Sequence, residues 1–160
     1  MAVQRYIREK DPEINKYFSK CFVCGDANPY GLHLTNTYED GRSHVEGRPG
    51  LAQMGLCTGG DNGLMHGGFS MMMLDEAFYY VCRAGLGLDV VTIFLNSRFK
   101  SPAILGHKLA AEAWLTKQDG KKIFMDGQII DMDNDNKVVI EADAMYMSID
   151  LDNFLKVSES

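Results

Sequence analysis

Two groups of residues in this chain are of types that do chemistry. His66-Gly67-Gly68 is a glycine-rich turn, and Asp75-Glu76 is an acidic pair beginning nine residues after the histidine. The stretch from Phe69 to Cys82 has no Pro and no Gly and is rich in Met, Leu and Ala. It is too long for a typical strand and reads as a helix. Because it is apolar on nearly every side, it is expected to be buried all round. Two carboxylates in its middle then need a reason, since a buried carboxylate is costly unless paired, hydrogen-bonded or protonated. One reason is a wet seam or an Arg or Lys partner. The other is catalysis, with one of the pair acting as base or nucleophile. Adjacent helix residues point about 100° apart, so both are not expected to face one reacting carbonyl.

The helix start offers a complement to such a base. Free N–H groups at a helix N-terminus, backed by the dipole, stabilise developing negative charge, and glycine leaves its amide most open. His66-Gly67-Gly68 is therefore a candidate oxyanion site; the plainer alternative is a tight turn that lets the helix pack.

These residues must be positioned by the elements around them. Residues 1–20 read as a peripheral segment with a short helix starting at Asp11-Pro12-Glu13. Residues 21–31 are a turn-rich connector. Leu32–Tyr38 and Arg42–Arg48 read as a hairpin around Asp40-Gly41. The glycine-rich stretch 49–65 is a long loop, expected to lie over the active site. The helix ends at Ala84-Gly85-Leu86-Gly87. Val90–Phe99 is expected to be a central strand, broken after its end by Pro102. Lys108–Lys117, Lys122–Asp131 and Lys137–Ile149 complete the strands, with a turn at Asp119-Gly120. The tail from Asp150 is expected to fray. One helix among many strands makes this α+β with a mainly antiparallel sheet.

At 160 residues the chain reads as one domain, 1–160, long enough for folding to bury about 70% of its surface. The net charge of -6 argues against nucleic acid as a partner. It does not exclude a phosphate-bearing small molecule, which needs only a few local cations. Arg98, Lys100, Lys121 and Lys122 are candidates for that task, with ordinary solvated lysines as the alternative. No run approaches membrane-spanning length and the first residues lack an apolar signal core, so a cytoplasmic protein is expected. Cys21-x-x-Cys24 invites a zinc reading. A closed site needs four ligands, and no second CxxC or HxxxH is present. Reduced cysteines and no metal are expected. Met71, Met72 and Met73 with Phe69 are either plain core or the lining of an apolar pocket.

Taken together, His66-Gly67-Gly68 followed by Leu74-Asp75-Glu76-Ala77 resembles the signature of hotdog-fold acyl-CoA thioesterases, nearest to the phenylacetate-pathway thioesterases and to thioesterase superfamily members 2 and 4. In those families an HGG turn leads into a long central helix, and the catalytic Asp lies nine residues after the His. Cys21-Phe22-Val23-Cys24-Gly25, with Asn28-Pro29-Tyr30-Gly31-Leu32, is similar to an N-terminal segment of the member-4-like branch. Phe99-Lys100-Ser101-Pro102-Ala103-Ile104-Leu105-Gly106 is similar to the strand end that meets CoA. The resemblance spans about residues 21–149.

That resemblance implies a hotdog fold, an antiparallel sheet wrapped around one long central helix. It implies Asp75 as general base or nucleophile, with Glu76 as the competing helix acid. His66 would belong to the active-site wall. The Gly67 amide would hold the oxyanion, with Gly68 as the alternate. Thr92, ten residues before Pro102, takes the position that places the attacking water; otherwise it is an ordinary strand threonine. Asn62, four residues before His66, is the candidate for holding the carbonyl; the corresponding Asn of member 2 lies six before. Lys100 and Ser101 fall in the CoA-facing motif. The expected partner is an acyl-CoA substrate, with CoA as part of the substrate and no cofactor. A homodimer or dimer of dimers with shared active sites is implied. Two alternatives stand beside this reading. One is a hotdog enoyl-CoA hydratase or dehydratase using Asp61 and His66. The other is a non-catalytic acyl-CoA binding protein.

Overall fold

A computed structural model describes residues 6–7, 12, 16, 18–49 and 63–158. Helix α1 spans Gly67–Tyr80. His66 caps it in an extended conformation, its side chain accepting from the Gly68 N–H. Beyond Tyr80 the backbone widens into a π-helical turn, Val81–Leu86, closed by Gly87 at φ +67°, the left-handed terminus that glycine supplies. Ser70, Met73, Leu74, Ala77, Phe78 and Tyr80 are buried, a stripe at three- and four-residue spacing. The opposite face is open: Gly68 and Asp75 are exposed, and Met72 is 40% exposed. The expectation of all-round burial is thus corrected. Within one chain a single sheet covers one side of the helix, and Asp75 lies off the buried stripe.

Among the described residues seven strands form one sheet in the order β1-β2-β3-β5-β6-β7-β4. They are β1 (Tyr6–Ile7), β2 (Thr35–Glu39), β3 (Arg42–Gly47), β4 (Val90–Phe99), β5 (Leu109–Asp119), β6 (Lys122–Asp131) and β7 (Lys137–Ser148). Every pairing is antiparallel, the architecture of a hotdog: α1 lies across β3, β5 and β6. Alternate residues face the helix. Val45, Ala111, Ala113, Ile123, Met125, Ile129, Ile140 and Ala144 join Leu74 and Phe78 in the core. The alanines of β5 and Gly127 of β6 let the helix come close. A Cβ added at Gly127 would lie 2.8 Å from the Glu112 carbonyl oxygen and 2.9 Å from Phe78 Cζ. The first hairpin turns on Asp40 (φ +52°) and Gly41 (φ +78°), the two positive φ values of a type I′ turn. In the second, Asp119 pairs with Lys122, so the turn residues are Gly120 and Lys121, one step later than Asp119-Gly120.

Three further expectations change. Among the described residues β4 is an edge strand paired only to β7, not a central one, and Ile93 is 48% and Phe99 56% exposed. An apolar, β-branched run shows that a strand wants cover, but not which element supplies it. Ahead of β2, Leu32 and Leu34 are buried but not in a strand, because His33 takes φ +48°. The tail forms helix α2, Leu151–Ser158, rather than fraying; Asp150 Oδ1 accepts from the Asn153 N–H at 3.2 Å, an N-terminal cap. The proposed helix start at residues 11–13 falls mostly outside the described residues. So do residues 50–62 of the long loop, with Cys57, Asp61 and Asn62. No helix among the described residues is long and apolar enough to cross a membrane.

Candidate active site

Thr92 on β4 and Tyr146 on β7 are directly opposed, and the register shifts just beyond them, between Thr92 and Phe94. Opposed residues point to the same face of a sheet, here the face that carries α1. Bulges of this kind re-aim side chains next to functional sites. Thr92 Oγ1 donates to Asp75 Oδ1 at 2.8 Å. The Tyr146 hydroxyl donates to the same oxygen at 2.5 Å and lies 3.1 Å from the Asp75 main-chain oxygen. Asp75 Oδ2 has no donor among the described residues. Burial first, and the Asp75 charge second, hold the Tyr146 phenol above the ordinary tyrosine range, so it stays a donor.

The pair of hydroxyls and Asp75 line a cleft of about 350 Å³. Its walls include Phe18, Tyr79, Tyr80, Val90 and Val91, with Cys21, Cys24 and Glu76. Asp75 and Glu76 both line this cleft but turn to different partners. Glu76 Oε1 accepts from Asn36 Nδ2 of β2 at 3.3 Å. Its charge also acts on Cys24. Hydrogen bonding with Cys21, then burial, then Glu76 keep that thiol well above the ordinary cysteine range. Cys21 and Cys24 are free thiols, and among the described residues no group of three or more His, Cys, Asp or Glu side chains is placed to hold a metal ion.

At the start of α1, His66 Nδ1 accepts from the Gly68 N–H at 3.0 Å. An accepting Nδ1 carries no proton, so the neutral ring has its proton on Nε2. The Gly68 amide is thereby occupied. The Phe69 N–H donates to the His66 carbonyl at 3.0 Å. The Gly67 N–H has no partner among the described residues, as the first turn of a helix leaves it. A Cβ at Gly67 would lie 3.1 Å from Phe99 Cζ, so the end of β4 covers this turn. Gly67 and Asp75 are eight residues apart on α1, about 12 Å along the axis at 1.5 Å per residue.

The cation candidates do not converge. Arg98 pairs with Asp143 at 3.3 Å, and Lys100 pairs with Glu141 at 2.9 Å. Lys121 and Lys122 are exposed at the β5–β6 turn, where Lys122 is registered with Met147, beside Tyr146. Arg98 is registered with Glu141, toward the other end of β4. Ser101 is half-buried and its hydroxyl has no partner among the described residues. None of the three methionines lines the cleft: Met73 is in the core and Met71 packs against it. Phe69 packs with Phe22, ring centroids 6.1 Å apart.

Tyr146 was not among the residues singled out from sequence. One signal pointed to it: in β7 it shares the inward phase of Ile140, Ala142 and Ala144, and a buried tyrosine hydroxyl needs a partner. Which partner depends on a register between strands far apart in sequence.

Comparison with known proteins agrees with this architecture. Residues 62–137 match the family model of the thioesterase superfamily. The chain is similar to the Escherichia coli PaaI protein of the phenylacetic acid degradation operon, at 23% identity and TM-score 0.64, over 74% of this chain and 81% of that one. It is similar to a Haemophilus influenzae thioesterase at 17% identity and TM-score 0.66, over 80% and 86%. A Streptococcus pneumoniae hypothetical thioesterase with coenzyme A aligns at 21% identity and TM-score 0.58, over 68% and 82%. No functionally curated protein matches the chain. The shared fold is the hotdog.

Proposed function

We propose that this chain, a hotdog whose residues 62–137 match the thioesterase superfamily, is an acyl-CoA thioesterase hydrolysing a CoA thioester to free acid and CoA. The observation that carries the reading is Asp75. One of its carboxylate oxygens is fixed by two hydroxyl donors and the other has no donor among the described residues, on the wall of a cleft of about 350 Å³. Such a cleft is within the size range of small-molecule sites. The coenzyme A in the Streptococcus pneumoniae relative supports the CoA half of the substrate.

In the proposed reaction Asp75 Oδ2 takes a proton from water, whose oxygen attacks the thioester carbonyl. The Thr92 hydroxyl donates its hydrogen bond to Asp75, and its oxygen can accept a hydrogen bond from that water. A Gly67 N–H, at a helix N-terminus, receives the oxyanion. Collapse breaks the C–S bond, and the proton on Asp75 passes to the CoA thiolate. A single turnover in 18O-water distinguishes this route from direct attack by Asp75. General base catalysis puts the label in the product acid; label appearing in the Asp75 carboxyl would contradict it.

The 12 Å separation means that Gly67 and Asp75 of one chain cannot reach one carbonyl, whose C=O length is about 1.2 Å. The amide is therefore assigned to a second copy. β4 is a long exposed edge strand, a template for pairing. Its two ends differ: Phe99 covers Gly67, and Thr92 holds Asp75. Pairing β4 antiparallel with its own copy about its middle brings the Phe99 end of one chain to the Val90–Thr92 end of the other. Gly67 and Asp75 would then meet across a two-fold axis.

A thiol-release assay over aryl, short, medium and long acyl-CoAs tests the activity. Turnover of at least one class is expected. Tight binding with no release in any class would make the protein an acyl-CoA binder. Loss of enoyl absorbance from crotonyl-CoA without thiol release would make it a hydratase.

A further inference from the structure

We propose that Tyr146 is a positioning residue for Asp75, holding the carboxylate so that Oδ2 alone faces the reacting water. The proposal rests on the thioesterase reading above and adds a residue to its site.

The phenol carries one proton and lies within reach of two acceptors, Asp75 Oδ1 at 2.5 Å and the Asp75 main-chain oxygen at 3.1 Å. The carboxylate is both nearer and charged, and charge-assisted hydrogen bonds are the stronger kind. The proton therefore goes to Oδ1. Thr92 donates to that same oxygen from the paired strand. Two hydroxyls from adjacent strands thus form a fork around one carboxylate oxygen. A carboxylate held at one point can swing about its Cβ–Cγ bond, because that torsion is broad. Held by two donors on one oxygen, it keeps the other oxygen pointed one way.

The fork is rigid for reasons in the fold. Tyr146 is 1% exposed, and its ring packs against Phe78, centroids 6.1 Å apart. β7 is paired on both sides, by β6 and β4. Thr92, by contrast, is exposed on an edge strand beside the bulge. Tyr146 is the fixed member of the pair and Thr92 the adjustable one.

Tyr146→Phe keeps the ring and deletes the donor. We expect kcat to fall by about tenfold to a hundredfold, the scale of a hydrogen bond to a charged group, with KM unchanged. In an Asp75→Asn background the same change should cost nothing further, because the group it positions is gone. Proton NMR gives a reading independent of turnover. A strongly deshielded hydroxyl proton is expected in the wild type and lost in both Tyr146→Phe and Asp75→Asn. Wild-type kcat in Tyr146→Phe, with Asp75→Asn dead, overturns the proposal and leaves the thioesterase reading standing. An equal loss in both backgrounds also overturns it, since that marks a packing role. Full activity in Asp75→Asn overturns the reading of the site, and the positioning role with it. If Tyr146→Phe does not fold, 3-fluorotyrosine at 146 keeps the shape and makes the phenol a stronger donor. It should move the deshielded proton and change kcat at constant KM; a variant matching the wild type in both overturns the proposal.

Discussion

Asp75 and Glu76 are neighbours in one cleft, and the partners each one finds separate their roles. Asp75 is held by hydroxyls that leave one oxygen bare, whereas Glu76 is engaged by Asn36 and adjoins Cys24. Asp75→Asn is therefore expected to lower turnover by about two to four orders of magnitude, the range for losing a general base, with substrate binding retained. Glu76→Gln should be mild by comparison; the reverse ranking in a thiol-release assay would make Glu76 the catalyst. Thr92→Val keeps the β-branched shape and removes one donor. It should slow turnover roughly tenfold, the equivalent of one hydrogen bond near 1.4 kcal/mol. Unchanged kinetics with an unchanged melting curve would return Thr92 to an ordinary strand role. Asp75 stood out in the sequence as a carboxylate in an apolar helix; the structure places it on the exposed side of that helix, at the wall of a cleft. The occupied state of the Gly68 amide was not legible in the sequence, since it depends on the rotamer of His66. Tyr146 was not either, since only strand register places it opposite Thr92.

Elements were legible where local chemistry decides them. β4 and β6 have the bounds expected from their composition, and the helix start and its glycine terminus lie where the turn residues put them. Expectations failed where a distant element decides. β4 became an edge, and α1 kept an open face, because both depend on what packs against them. The tail shows a smaller lesson: Asp150 is a good cap, and one cap with a short apolar face sufficed for α2. The approach of α1 to the sheet hangs on Gly127. Gly127→Ala would push a methyl into the Glu112 carbonyl and the Phe78 ring, at 2.8 and 2.9 Å. Overpacking of this kind costs about 1–3 kcal/mol, so the denaturant midpoint should drop with the slope unchanged. A midpoint equal to wild type would mean that the helix has room to retreat.

At the scale of the molecule, the proposed reaction needs more than one chain. The amide and the carboxylate proposed as oxyanion donor and base, Gly67 and Asp75, lie about 12 Å apart on one helix, and among the described residues the strand that runs between their neighbourhoods has no partner along one edge. The cation candidates separate in the same way, Arg98 and Lys100 toward one end of that edge, Lys121 and Lys122 toward the other. Both separations close if two copies pair through β4. The sequence carried the motive for pairing, an excess of apolar surface on the helix and β4. It could not carry the geometry, which needs the positions of both ends of β4 relative to α1. One measurement tests the whole account. An Asp75→Asn chain and a Gly67→Val chain are each expected to be inactive alone. Co-folded as a mixed dimer, they place an intact Gly67 and an intact Asp75 together at one of two sites. Thiol release should then recover to about half of the wild-type rate per mixed dimer, by counting two-fold-related sites. A mixture that stays inactive, with heterodimers confirmed by mass, would contradict the shared site.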